Sequence, residues 1–137
     1  MERIMAFDPG ERRVGVAVSD PLGLTAQPVE TYVRVSPEAD LAHYGELIRT
    51  WNPGKIVIGY PVHMNADVGI KARQSKEFGT LLEETYGIPV VYLDERLTTV
   101  QAHRILSESS VRGKKRRQTV DTLAAVLILE NYLQMNG

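Results

Sequence analysis

With 137 residues, 43% of them hydrophobic and 24% charged, the chain has the size and composition of one soluble globular domain, enough for a single core and too short for two. It contains no cysteine, which excludes disulfides, thiolate zinc sites and cysteine nucleophiles, so any metal would be held by oxygen or imidazole. A net charge of −1 argues against an overall basic coat, and the absence of a signal-peptide or membrane-span run predicts a cytoplasmic protein with no membrane partner.

Arg3 to Asp8 alternates, with Ile4, Ala6 and Asp8 on one face and Met5 and Phe7 on the other, which predicts a strand ending at the aspartate. Pro9-Gly10 turns the chain, and the small and β-branched run Val14 to Ser19 predicts a second strand antiparallel to the first. Near Pro28 to Arg34, alternating Val29, Thr31 and Val33 predict a third strand, whose proline suits an edge. Ser36-Pro37-Glu38 supplies a helix cap, a proline at the first helical position and an acid in the first turn; Leu41, Tyr44, Ile48 and Trp51 then keep helical spacing. Asn52-Pro53-Gly54 ends that helix and leads into a short buried parallel strand, Ile56-Val57-Ile58, bounded by Gly59.

A second helix is expected from about Asp67 to Tyr86, with Ile70, Phe78, Leu81 and Leu82 inward and Gly87 closing it, before a fifth strand from Pro89 to Leu93. Thr98 and Gln101 form a capping-box pair that opens a third helix with a core stripe of Ala102, Ile105 and Leu106. The run RGKKRR, Arg112 to Arg117, reads as a mobile basic loop. Thr119 then caps a final, largely buried helix in which Val120, Leu123, Ala124, Leu127 and Ile128 form the principal stripe. These elements predict an α/β fold: a five-stranded mixed sheet of order 3-2-1-4-5 with helices on both faces.

In open α/β sheets ligands bind beyond the carboxyl ends of the parallel strands. Asp8 ends strand 1, Asp94-Glu95-Arg96 ends strand 5, and Asp121, in the first turn of the last helix, can reach the same rim. Gathered carboxylates repel one another when empty, and a divalent cation removes that conflict. Mg²⁺ and Mn²⁺ prefer oxygen ligands and bridge carboxylates to phosphates, which makes phosphodiester hydrolysis the natural chemistry of such a site. Singly, each acid has another account: Asp8 as a turn residue, Glu95 as a surface ion-pair partner, Asp121 as an acid favoured by the helix dipole. Among the histidines, His43 reads as an exposed helix residue and His103 as solvent-facing. His63 follows Gly59-Tyr60-Pro61 at the crevice and is a candidate phosphate contact, as is the basic run beside Asp121.

Four blocks of the sequence together resemble the YqgF family, also called RuvX, within the RNase H-like superfamily. They are Asp8-x-Gly10-x-x-Arg13-x-Gly15-Val16-Ala17-x-Ser19-Asp20, Gly59-x-Pro61, Asp94-Glu95-Arg96-Leu97-Thr98-Thr99, and Val120-Asp121-x-Leu123-Ala124-Ala125. The resemblance spans nearly the whole chain and implies a single RNase H-like nuclease domain over residues 1–137. It carries over Asp8, Glu95 and Asp121 as catalytic and metal-binding acids for Mg²⁺ or Mn²⁺. Arg13, His63, Arg112, Lys114, Lys115, Arg116 and Arg117 are the expected nucleic-acid contacts. The implied role is maturation of the 5′ end of 16S ribosomal RNA precursor, with the ribosome or a pre-30S particle as a partner. Holliday-junction resolution in DNA recombination and repair is an alternative, and a homodimer is compatible with it. A non-catalytic RNA-binding assembly factor is a third reading. A fourth, ATP binding through the Asp8-Pro9-Gly10 turn in the manner of actin-like kinases, would need two such domains facing a cleft. After Gly59 the chain departs from the family, with Tyr60, Val62, His63 and Ala66 where other residues are usual.

Overall fold

A computed structural model describes residues 2–60, 66–94 and 113–136. Their elements run β1 (Arg3–Pro9), β2 (Arg13–Ser19), β3 (Ala26–Val33), α1 (Pro37–Trp51), β4 (Pro53–Tyr60), α2 (Ala66–Tyr86), β5 (Val90–Asp94) and α3 (Gly113–Asn136). The sheet has the order β3-β2-β1-β4-β5, as the sequence predicts. β1 pairs antiparallel with β2 and parallel with β4, which in turn pairs parallel with β5. The helix expected to open at Thr98 and Gln101 lies outside the described residues.

Alternation along β1 divides the core into two layers. Met5 and Phe7 join Val14, Val16, Val18, Ile56 and Ile58 beneath α1 and α2, where Tyr44, Ile48 and Leu82 complete the cluster. Ala6, Ala17 and Val57 point the other way and pack on Ala125, Ile128, Leu129 and Tyr132 of α3. The buried stripe of α3 is thus turned from the predicted one: Leu123 and Leu127 are half-buried, and Tyr132 carries the seam onward. On α2, Leu82 is buried as expected, but Ile70 and Leu81 are 51% and 46% exposed, because the inward stripe runs through Ala72, Phe78 and Leu82 instead.

Local signals account for most element ends. Ser36 Oγ accepts from Ala39 N, Pro37 opens α1, and Asn52 closes it in the left-handed region at φ 48°. Pro53 and Gly54 do not form a separate turn; β4 begins at Pro53, which pairs with Arg3. Proline is tolerated there because it is the first residue of the strand. Asp20 caps the β2–β3 turn, its Oδ1 accepting from Leu24 N and Thr25 N at 2.7 and 2.8 Å. The Thr25 amide foremost holds that carboxyl below its ordinary pKa.

The largest departure from expectation is at α3. The helix begins at Gly113, so Lys114, Lys115, Arg116 and Arg117 stand in its opening turns and not in a loop. Lysine, arginine and glutamine are good helix formers, and Thr119 is carried inside the helix despite its capping preference. Asp121 consequently sits more than two turns into α3, not in its first turn.

Candidate active site

The site begins with a row of backbone partners. Asp8 of β1 lies opposite Gly15 of β2, which lies opposite Thr31 of β3. At Gly15 a Cβ atom would stand 1.9 Å from the carbonyl oxygen of Asp121 and 2.5 Å from its carbonyl carbon. Only glycine lets the α3 backbone cross the sheet at this height. One residue further along α3 and one strand across the same row, the hydroxyl of Thr122 meets the hydroxyl of Thr31. α3 is therefore seated on the row at two adjacent points, and Asp121 comes to the same recess as Asp8.

That recess has a volume of about 430 Å³ and is walled by Asp8, the turn from Pro9 to Arg13, Asp121, and Lys71, Gln74 and Ser75 of α2. Arg13 Nε donates to Asp121 Oδ2 at 2.8 Å, both side chains being roughly a quarter exposed. The arginine expected to contact nucleic acid is thus engaged with one of the candidate acids. Lys71, Gln74 and Ser75 were not singled out from the sequence. Their signal is a polar triplet at i, i+3 and i+4 on α2, one face of a helix, which resembles an ordinary solvated face until the fold brings it to Asp8.

Other candidates fall elsewhere. Glu95, His63, His103 and Arg112 lie outside the described residues. His43 is not the exposed residue expected: it is half-buried, stacked on Tyr32 with ring centroids 4.1 Å apart, and its Nε2 is 2.8 Å from Glu30 Oε1. Leaning on the edge strand β3 shields it from solvent.

Among the described residues no group of three or more histidines or acids could hold a metal ion; the recess is lined by three acids, Asp8, Glu11 and Asp121, of which Asp8 and Asp121 are the candidates from the sequence. Its donors are all hard oxygen atoms, a set that fits Mg²⁺ or Mn²⁺ and not a soft ion. Among the same residues no helix is long and apolar enough to cross a membrane.

The family model described as RuvX, Holliday junction resolvase, matches residues 2–135. The chain belongs to the RuvX family. A candidate pre-16S rRNA nuclease of Lactococcus lactis subsp. lactis is 50% identical to it over 138 aligned positions, covering 98% of this chain and 96% of the relative. A protein of the same description from Heliobacterium modesticaldum is 49% identical over 131 positions, covering 96% and 88%. This RuvX chain is therefore a member of a nuclease family. In fold it is similar to Thermus thermophilus RuvC solved in complex with a Holliday junction substrate, at TM-score 0.63 and 16% identity, covering 99% of this chain and 97% of that one. It is likewise similar to the Fowlpox virus resolvase solved with Holliday junction DNA, at TM-score 0.56 and 10% identity, covering 98% of each. The RNase H-like fold expected from the sequence is the fold observed.

Proposed function

We propose that this chain, as one nuclease domain, hydrolyses phosphodiester bonds with Mg²⁺ or Mn²⁺ held by Asp8, Asp121 and Glu95, in maturation of the 16S ribosomal RNA precursor. The observation that carries the reading is the shared recess of Asp8 and Asp121, two acids far apart in sequence on a β-strand and a helix. Arg13 takes one oxygen of Asp121, Oδ2, and the carboxylate oxygens of Asp8 and Asp121 supply the hard donors that a divalent cation prefers. When bound, the divalent ion supplies Lewis-acid stabilisation of the charge that builds on the phosphate oxygens.

The protein's own residues bind and orient around that point. Arg13 fixes the Asp121 carboxylate through Oδ2, so the acid does not have to be ordered when substrate arrives. Arg12 and Lys71 add positive charge at the recess wall, where a phosphate would otherwise meet the carboxylates of Asp8, Glu11 and Asp121. The basic residues Lys114 to Arg117 open the helix that carries Asp121, and they extend the path available to a polyanion. In the hydrolysis a water oxygen bonds to phosphorus, the bond from phosphorus to the leaving sugar oxygen breaks, and that oxygen takes up a proton.

The ribosomal role draws on relatives of about 50% identity described as candidate pre-16S rRNA nucleases. The family description favours a second reading, resolution of four-way DNA junctions. Side-by-side incubation with precursor rRNA fragments and a four-way DNA junction, with Mg²⁺ or Mn²⁺, separates the two. Cleavage of the RNA by the wild type and loss of at least 100-fold in rate by Asp8→Asn, with cooperative unfolding retained, is the expected result. Equal cleavage by Asp8→Asn would remove the nuclease assignment of this recess.

A further inference from the structure

A second cavity of about 430 Å³ lies on the other side of the β1–β2 turn, between that turn and helices α1 and α2. It shares Pro9, Gly10, Glu11 and Gln74 with the Asp8–Asp121 recess, so the two cavities have a common wall. The remaining lining is of a different character. Leu41, Phe78 and Leu81 make an apolar slot, with Leu81 46% exposed at its edge and the buried Tyr44 ring packed edge-on against Phe78, centroids 5.2 Å apart. Arg34 lies over the Phe78 ring at 5.7 Å. Its Nε and the hydroxyl of Tyr44 are buried polar atoms without a hydrogen-bond partner among the described residues. Such groups are rare in a finished interior and point to a partner that arrives later.

The charge of this cavity excludes a phosphate. Glu11, Asp40 and Glu77 line it against the single guanidinium of Arg34. Asp40 is already committed, its Oδ1 accepting from the Tyr32 hydroxyl at 2.7 Å and Val35 N at 2.8 Å. A neutral planar ring with N–H donors on one edge and acceptors on another suits what remains. Carboxylates accept from N–H groups, guanidinium donates to ring nitrogen and carbonyl acceptors, and the apolar wall of Leu41, Phe78 and Leu81 packs on the ring. Among the nucleobases guanine offers both edges: N1–H and the exocyclic amine for a carboxylate, O6 and N7 for an arginine.

We propose that this second cavity receives one unstacked nucleobase, guanine best, from the nucleic-acid strand whose backbone occupies the neighbouring Asp8–Asp121 recess. The inference deepens the nuclease reading and rests on it for the strand's presence. It assigns Arg34, Glu77 and the wall of Leu41, Phe78 and Leu81 to base selection near the scissile bond, separate from the acids that act on the phosphate.

The test is binding before turnover, using the full chain with Ca²⁺, a hard cation of oxygen ligands, in place of Mg²⁺ or Mn²⁺, and uridine nonamers of RNA whose central position is uracil, guanine, adenine or an abasic ribose. The guanine nonamer is expected to bind about tenfold more tightly than the abasic one, with adenine and uracil between them. Leu81→Trp, which fills the slot from its exposed edge, should erase that order, whereas Leu81→Ala should keep it. Glu77→Gln, at an exposed position, should reduce the preference for guanine even if the tryptophan variant fails to fold. Equal binding of all four nonamers by the wild type, or an order that survives both Leu81→Trp and Glu77→Gln, would overturn the base pocket and leave the nuclease reading standing. If no nonamer binds, the nucleic-acid reading fails and takes the pocket with it. Cleavage assays of the same oligonucleotides with Mn²⁺ keep the two failures apart.

Discussion

The two faces of the sheet are built by opposite means. Under α1 and α2 the space is filled by rings: Phe7 packs edge-on to Tyr44 with centroids 5.8 Å apart, and lies 5.6 Å from Phe78. Where α3 crosses beside the site its face is closed by smallness, with Gly15 against the helix backbone and Ala6 and Ala17 in one cluster with Ala125, while Val57, Ile128, Leu129 and Tyr132 fill the rest. A face filled by volume tolerates adjustment, because side chains can shift to fill a gap. A face closed by backbone approach does not, since the contact at Gly15 is with a main-chain carbonyl. The candidate acids come together on the second face, where helix position is held most tightly.

That contrast can be broken from either side. Phe7→Ala should have the largest effect on stability, a loss of about 3–5 kcal/mol in urea unfolding, because a fully buried ring is removed from the aromatic layer. Gly15→Ala should cost less, about 2–3 kcal/mol, since the backbone of α3 must lift to admit a methyl group. Its effect on cleavage should nonetheless be the greater of the two, because lifting α3 moves Asp121 from Asp8. Rates measured on folded protein at low temperature decide this, and an active, merely destabilised Gly15→Ala would show that the close approach does not position the acids.

Two further substitutions sharpen the comparison. Asp40, beneath the ring-filled face, is nine-tenths buried. Burial alone would raise its pKa, but hydrogen bonds from Val35 N, Tyr32 and Ser36 N, with the charge of Arg34, hold it below the ordinary carboxylate value. A folded-state pKa below the unfolded one gives stability that is full above the unfolded value and is lost as pH falls through the folded one. Asp40→Asn should therefore cost about 1–2 kcal/mol near neutral pH and flatten the loss of stability below about pH 4, as followed by acid titration of the unfolding midpoint. Arg13→Ala should have the smallest effect on stability, about 0.5–1 kcal/mol, because the pair with Asp121 is partly exposed and screened. A fall in cleavage without a matching fall in stability would identify Arg13 as a positioning residue.

Much of this molecule was readable before its folding was known. Alternation along Arg3 to Asp8 assigned Met5 and Phe7 to one layer and Ala6 to the other, and the strand order followed from two crossover helices of ordinary length. Ser36-Pro37 marked the start of α1 because capping is a local interaction within one turn. What was misread depends on distant neighbours. Lys114 to Arg117 are helix and not loop because lysine and arginine are good helix formers and join a helix that continues to Asn136. Likewise His43 found shelter on an edge strand that its own helix could not predict.

By itself the sequence determined the fold class and nominated Asp8 and Asp121, since periodicity, caps and turn residues act over a few positions along the chain. Only the tertiary structure decided that these two acids share a recess, that Arg13 faces Asp121, and that Lys71, Gln74 and Ser75 complete the wall. The physical reason is one of range. Hydrophobic pattern says which face of an element is buried, but the height at which a helix crosses a sheet is set by the single position, Gly15, where two backbones can touch.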